Sequence, residues 1–146
     1  MNEKFYKDWS HDLNWGIHQA RCVVVVGHNL KVAWNLTRMH SLKPKESYKK
    51  FAHQIADAIP ESGCDNQRGG WYDMMERTLK EGEENHRLVW HDRKAWWQQE
   101  QGILAYYIMA GVYNDKPEYL NFAREGTAFY NGWFLDYEEG AIYFNV

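Results

Sequence analysis

The sequence is poor in the residues that punctuate, cross-link or strongly charge a chain. Three prolines are spread over 146 residues, so there is no material for a proline-rich linker or a low-complexity tail. Its two cysteines, Cys22 and Cys64, are too few for a disulfide framework and read as free thiols of a reducing, cytoplasmic setting. No apolar run approaches the ~20 residues that span a bilayer; residues 22–27 come nearest and fall far short. The opening MNEKFYKDWSHD carries charge and no apolar segment, so neither a signal peptide nor a membrane partner is expected. Positive charge is not in surplus either. The formal net charge is −3 and the isoelectric point 6.1, which leaves no electrostatic footprint for nucleic acid.

Aromatic residues are abundant instead. Tryptophan alone occurs 8 times and aromatics make up 16% of the chain, while mean hydropathy is a polar −0.74. Flat apolar rings in a polar chain suit a sugar site, where an indole packs on the apolar face of a pyranose and polar groups meet its hydroxyls. The same rings also serve as core packing. With 45% hydrophobic and 25% charged residues, the chain has the composition of a single folded domain of about 100–200 residues.

Periodicity predicts an all-α chain. Between Pro44 and Pro60, Tyr48, Phe51, Ala52, Ile55, Ala56 and Ile59 fall on one helical stripe, with Pro60 expected to end the helix. Residues 29–42 read as the preceding helix, joined by a link short enough to force an antiparallel hairpin. Residues 96–113 and 118–134 repeat the plan around the turn Asn114-Asp115-Lys116-Pro117. The valine run 22–26 reads as a short strand. Residues 71–76 and 86–91 read as the two arms of a β-hairpin. The domain therefore divides into a lead-in (1–27), a first hairpin (28–76), an inserted β-hairpin loop (77–93) and a second hairpin (94–146).

The two helical hairpins can be put in register. Phe51-Ala52 pairs with Phe122-Ala123, Gly69 with Gly140 and Tyr72 with Tyr143, each 71 positions apart. A helix pair plus a β turn, repeated at this period, points to an α/α toroid or solenoid. In this register His28 and Gln99 are equivalent, which places both, and the neighbouring Trp96 and Trp97, on one rim. His28 is the candidate base, since an imidazole near its ordinary pKa of about 6.5 exchanges protons at neutral pH.

Three segments then carry a family resemblance: Gly27-His28-Asn29-Leu30-Lys31-Val32-Ala33-Trp34, Arg68-Gly69-Gly70-Trp71-Tyr72-Asp73 and Lys94-Ala95-Trp96-Trp97-Gln98-Gln99. In wording, order and spacing they resemble the N-acylglucosamine 2-epimerase family, which includes cellobiose 2-epimerases. The resemblance implies a partial (α/α)6 barrel. Six units would need roughly 430 residues, so the chain carries about a third of one. It also implies proton transfer at the carbon next to a sugar carbonyl, with His28 in the place of a catalytic histidine and Trp96 and Trp97 lining the sugar site; Gln99, on the same rim by the register, and Trp34 are the further candidate sugar contacts.

Departures from the family pattern bear on activity. Lys31 stands where many members have a glutamate three residues after the histidine. Gln101 stands where another glutamate follows the second tryptophan, with Glu100 one place earlier and about 100° around a helix. The family's second catalytic histidine and its N-terminal arginine have no counterpart here. The expected ligand is a free mono- or disaccharide, the expected state a homo-oligomer that buries the open helix faces, and the isolated chain is expected to be inactive. The alternative is a non-catalytic helical-repeat module binding a carbohydrate or a protein.

Other chemistries find little support. His86, His91 and Asp92 match no zinc spacing, so no metal is expected. Asp73, Glu76, Asp92 and Glu100 are candidates for a glycosidase pair. No dinucleotide fingerprint, phosphate loop or nucleophile elbow is present, so no cofactor is expected.

Overall fold

The structure, a computed structural model, describes residues 23–76, 82 and 93–146. Strand β1 (Val23–Val25) leads into α1 (Val26–Leu42) and α2 (Glu46–Ser62). Strand β2 (Met74–Glu76) follows, then α3 (Trp96–Val112) and α4 (Glu118–Trp133). Two short strands, β3 (Leu135–Asp136) and β4 (Ala141–Ile142), close the chain. Helices α1 and α3 lie side by side, and each packs against its hairpin partner, α2 or α4. This is a stack of two helical hairpins, the local architecture of a partial (α/α)6 toroid.

The hairpins repeat down to individual hydrogen bonds. Asp65 Oδ1 accepts from the N–H groups of Gln67 and Arg68, and Asp136 Oδ1 accepts from those of Glu138 and Glu139, all at 3.0 Å. Gly69 N–H donates to Asp65 O as Gly140 N–H does to Asp136 O. Both glycines have positive φ, 84° and 66°, a region that side chains with a Cβ disfavour. Tyr72 N–H donates to Gly63 O and Tyr143 N–H to Phe134 O, each at 2.9 Å. The turn is one device used twice, 71 residues apart.

Before the first helix of each hairpin the offset is 70, not 71. Val26 N–H donates to Asp73 O, and Trp96 N–H to Phe144 O, both at 3.2 Å. Val25 pairs with Met74 as Ala95 pairs with Asn145. The step between offsets lies in the interhelical turns, since residues 113–117 form a longer link than residues 43–45. The structural partner of His28 is therefore Gln98, and that of Gln99 is Asn29. This corrects the equivalence of His28 with Gln99 drawn from the uniform register.

Two further expectations change. The valine run leaves the strand at Val25, and Val26, Gly27 and His28 form the first turn of α1 instead of preceding it. Pro60 does not end α2, which continues to Ser62. A proline at this place removes the N–H that would bond the Ala56 carbonyl, and the Tyr106 hydroxyl of α3 supplies that bond at 2.9 Å. Strand β2 pairs antiparallel with β1; the other proposed arm, residues 86–91, and the His86–Asp92 cluster lie outside the described residues.

The core runs between the hairpins and is organised by Trp71, which is buried. Its ring stacks on Tyr106 at 5.9 Å and lies against two helix glycines, Gly102 of α3 and Gly126 of α4. Leu30, Ala33, Ala52, Ala56, Ile59, Ala105, Met109 and Ala123 complete the layer. Burying a side chain as large as Trp71 contributes a few kcal/mol, and it fits because two facing positions lack a Cβ.

Candidate functional site

The rim lies at the starts of α1 and α3. His28, at the third position of α1, projects its ring to within 5.1 Å of Trp97. Burial, then the nearby Lys31 ammonium, holds the imidazole below its ordinary pKa, so at neutral pH it is the free base. A groove of about 420 Å³ runs down α1 from this point, lined by His28, Lys31, Val32, Asn35, Leu36 and Met39. Further along the α1–α3 seam, Trp34 Nε1 donates to Gln101 Oε1 at 3.0 Å.

The sequence-predicted site residues separate into two groups. His28 and Trp97 meet, and Trp34 lies on the same seam through Gln101. Trp96 turns away and packs against Phe129, Tyr130 and Phe134. Gln99 is buried, with both ends of its amide committed to one backbone residue: Trp71 N–H donates to Oε1 and Nε2 donates to Trp71 O, each at 2.7 Å. In this structure Gln99 fixes the rim and offers no free polar atom to a ligand.

Gln98 and Lys94, which sequence reasoning did not single out, hold the second hairpin on the first. Gln98 Oε1 accepts from Gly27 N–H at 2.5 Å, and Nε2 donates to the Asp73 carbonyl at 3.0 Å and also to its carboxylate. Lys94 Nζ donates to Asp65 Oδ2 and to Gly69 O, each at 2.7 Å, and lies 4.6 Å from the Phe129 ring centroid. Burial would raise the Asp65 pKa. The Lys94 ammonium and the Arg68 and Gln67 N–H groups outweigh it and hold the carboxyl well below the usual range. The sequence signal for this grip was the polar run Lys94, Gln98, Gln99 on an otherwise apolar helix start.

Of the four carboxylates offered for hydrolysis, Asp73 and Glu100 are engaged elsewhere, and Asp92 lies outside the described residues. Asp73 is buried between Gln98 and Arg93, whose Nε lies 3.1 Å from Oδ2. Glu100 accepts from the Tyr130 hydroxyl at 2.9 Å. Among the described residues no cluster of three or more His, Cys, Asp or Glu could hold a metal ion, and no helix is long and apolar enough to cross a membrane.

Among known proteins, no family model and no curated sequence matches this chain. Solved structures do. A D-mannose isomerase superposes with a TM-score of 0.70 at 20% identity, over 84% of this chain and 30% of its own. Cellobiose 2-epimerase from Bacillus thermoamylovorans gives 0.73 at 19% identity, over 86% and 30%. An inactive α-1,6-mannanase variant from Salegentibacter, in complex with α-1,6-mannotriose, gives 0.64 at 16% identity, over 84% and 32%. The chain thus spans about 30% of the length of the structures it matches. Its structural neighbours are sugar epimerases, sugar isomerases and glycoside hydrolases, and the fold they share is the (α/α)6 toroid. One fold hosting both isomerisation and hydrolysis leaves the chemistry to the site.

Proposed function

We propose that this protein binds a free mono- or disaccharide at the His28–Trp97 rim and, as an isolated chain, does not turn it over. The carrying observation is the 5.1 Å approach of a neutral imidazole to a partly exposed indole. The indole offers a platform for the apolar face of a pyranose, and the imidazole a hydrogen-bond partner for its hydroxyls. Trp34 supports the same seam. Trp96 and Gln99, read from the sequence as sugar contacts, enter this proposal as residues that position the rim. Epimerisation needs one group to remove a proton beside the carbonyl and a second to return it to the other face. His28 can serve as the first; among the described residues Lys31 is the charged group acting on it, and an ammonium is not a base at neutral pH.

The test is titration with cellobiose, mannose and α-1,6-mannotriose, followed by indole fluorescence and by sugar NMR in D2O. Saturable binding that Trp97→Ala abolishes, with no deuterium entering C2, is the expected result. No binding of any of the three would sink the reading. Deuterium entry that disappears in His28→Ala would replace it with catalysis.

Self-association is a second reading, favoured by the aromatic surface of the second hairpin, where Trp133 is 58% and Phe144 60% exposed.

A further inference from the structure

We propose that copies of this chain associate head to tail, continuing from one molecule to the next the interface that joins the two hairpins within it. The template is the internal junction. On α3, Gly102, Ala105, Tyr106 and Met109 are all buried. Seventy residues earlier, the same positions of α1 are Val32, Asn35, Leu36 and Met39, the lining of the open groove. Met109 is fully buried whereas Met39 is 46% exposed. This is the head.

The tail is equally identifiable. Trp34, Trp71 and Asp73 of the first hairpin meet the second. Their equivalents in the second hairpin are Leu104, Ile142 and Phe144, each more than 40% exposed. The turn that carries this face repeats the first in every backbone hydrogen bond described above, so the second hairpin presents the same kind of surface that the first presents to α3.

Side chains at the junction change in size. Inside the molecule Trp71 meets two glycines, Gly102 and Gly126. Between molecules Ile142 would meet their counterparts Val32 and Ile55, so three branched side chains take the place of one indole. The polar grip is kept only in part, since Val24 stands in the place of Lys94. Asn29 stands in the place of Gln99, and both side chains donate back to the carbonyl four residues earlier, Val25 O and Ala95 O. His28 stands in the place of Gln98. A head-to-tail contact is heterologous, and it closes into a ring when the rotation permits. A ring of six hairpins built from the two hairpins described here takes three copies.

Mass in solution by light scattering should give three times 17.4 kDa at micromolar concentration. Val32→Glu blocks the head and Ile142→Lys the tail. Both positions are exposed, and far-UV circular dichroism with a thermal melt confirms that each variant folds. Each variant alone should be a monomer, and an equimolar mixture should form a heterodimer, because one intact tail meets one intact head. A wild-type monomer up to about 100 μM would overturn the proposal. So would an Ile142→Lys variant that still dimerises, the behaviour of a symmetric contact through α1. Sugar binding by a monomer would leave the saccharide reading standing while removing this one.

Discussion

Replacing Gly126 with alanine should destabilise the protein, whereas the same replacement six residues on, at Gly132, should stabilise it. A Cβ at Gly126 would stand 2.2 Å from Trp71 Cη2 and 2.4 Å from Cζ3, and both glycines lie in α4. Carbon atoms prefer about 3.5–4.0 Å, so the indole or the helix must move by roughly 1 Å or more. Trp71 cannot move freely, since Gly102 backs it on the other helix and the Gln99 amide holds its backbone at both polar atoms. Overpacking of this kind costs ~1–3 kcal/mol, and the better helix propensity of alanine returns up to ~1 kcal/mol. At Gly132 a Cβ meets nothing within 4 Å, so the propensity gain stands alone, about 0.5 kcal/mol near a helix end. The two variants should therefore differ in sign, with melting temperatures separated by several degrees at ~2–4 °C per kcal/mol. Urea unfolding followed by far-UV circular dichroism reads the same difference. A second arm isolates the cause. Trp71→Leu is itself costly, yet in that background Gly126→Ala should turn neutral or stabilising. Equal stabilisation by both alanines in the wild-type background would refute the wedge, and so would an unchanged Gly126→Ala cost after Trp71→Leu.

Gln99→Leu should lower stability by ~2–4 kcal/mol in urea, because it leaves the buried N–H and C=O of Trp71 without partners at ~1–3 kcal/mol each. If it instead weakened sugar binding at unchanged stability, Gln99 would be a ligand contact after all. His53 predicts acid sensitivity. Its Nδ1 lies 2.8 Å from the Tyr119 hydroxyl, whose one proton goes to Asp57 Oδ1 at 2.7 Å, and Nε2 is buried without a partner. Burial lowers its pKa; Asp57 and Asp115 partly oppose this, while Lys49 and Lys116 add to it. The folded state therefore resists the proton that the unfolded chain accepts near pH 6.5. Stability is full above that pH and declines as pH falls through it. His53→Gln should flatten unfolding free energy between pH 7.5 and 5.5, and an unchanged slope would exclude this histidine as the cause.

Much of the fold was legible because helix hairpins are local objects. The boundaries of α3 and α4 agree with periodicity to within one residue, and Gly69 and Gly140 marked the turns that their positive φ values later explained. Two of the misreadings share a cause: in each, a distant residue satisfied a backbone group that local rules left open. Val26 became helical although it belongs to a β-branched run, because Asp73 O accepts its N–H from across the hairpin. Pro60 sits inside α2 because the hydroxyl of Tyr106, 46 residues on, takes the carbonyl that the proline leaves unpaired. Neither partner is visible to a pattern read along the chain. Nor is the role of Gly102 and Gly126, which look like weak helix positions until Trp71 is placed between them.

The candidate site was legible in residue type and illegible in direction. Within Lys94–Gln99 one helix start does two jobs, and only the turn angle of about 100° per residue separates them. Trp97 faces His28, while Trp96 faces the Phe129 cluster and Gln98 and Gln99 grip the first hairpin. The same angle decides the fate of Glu100. A carboxylate one residue later, at the place of Gln101, would lie on the α1–α3 seam, where Trp34 Nε1 now meets the Gln101 amide. At position 100 it faces α4 instead and is bound by the Tyr130 hydroxyl. Its charge cannot orient the His28 imidazole from there, whereas Lys31 on α1 does act on that imidazole and favours its neutral form. The rim thus keeps a neutral ring beside an indole, the arrangement on which the proposed saccharide binding rests. Among the described residues no acidic group acts on that ring, so none is there to stabilise the imidazolium that proton abstraction would produce.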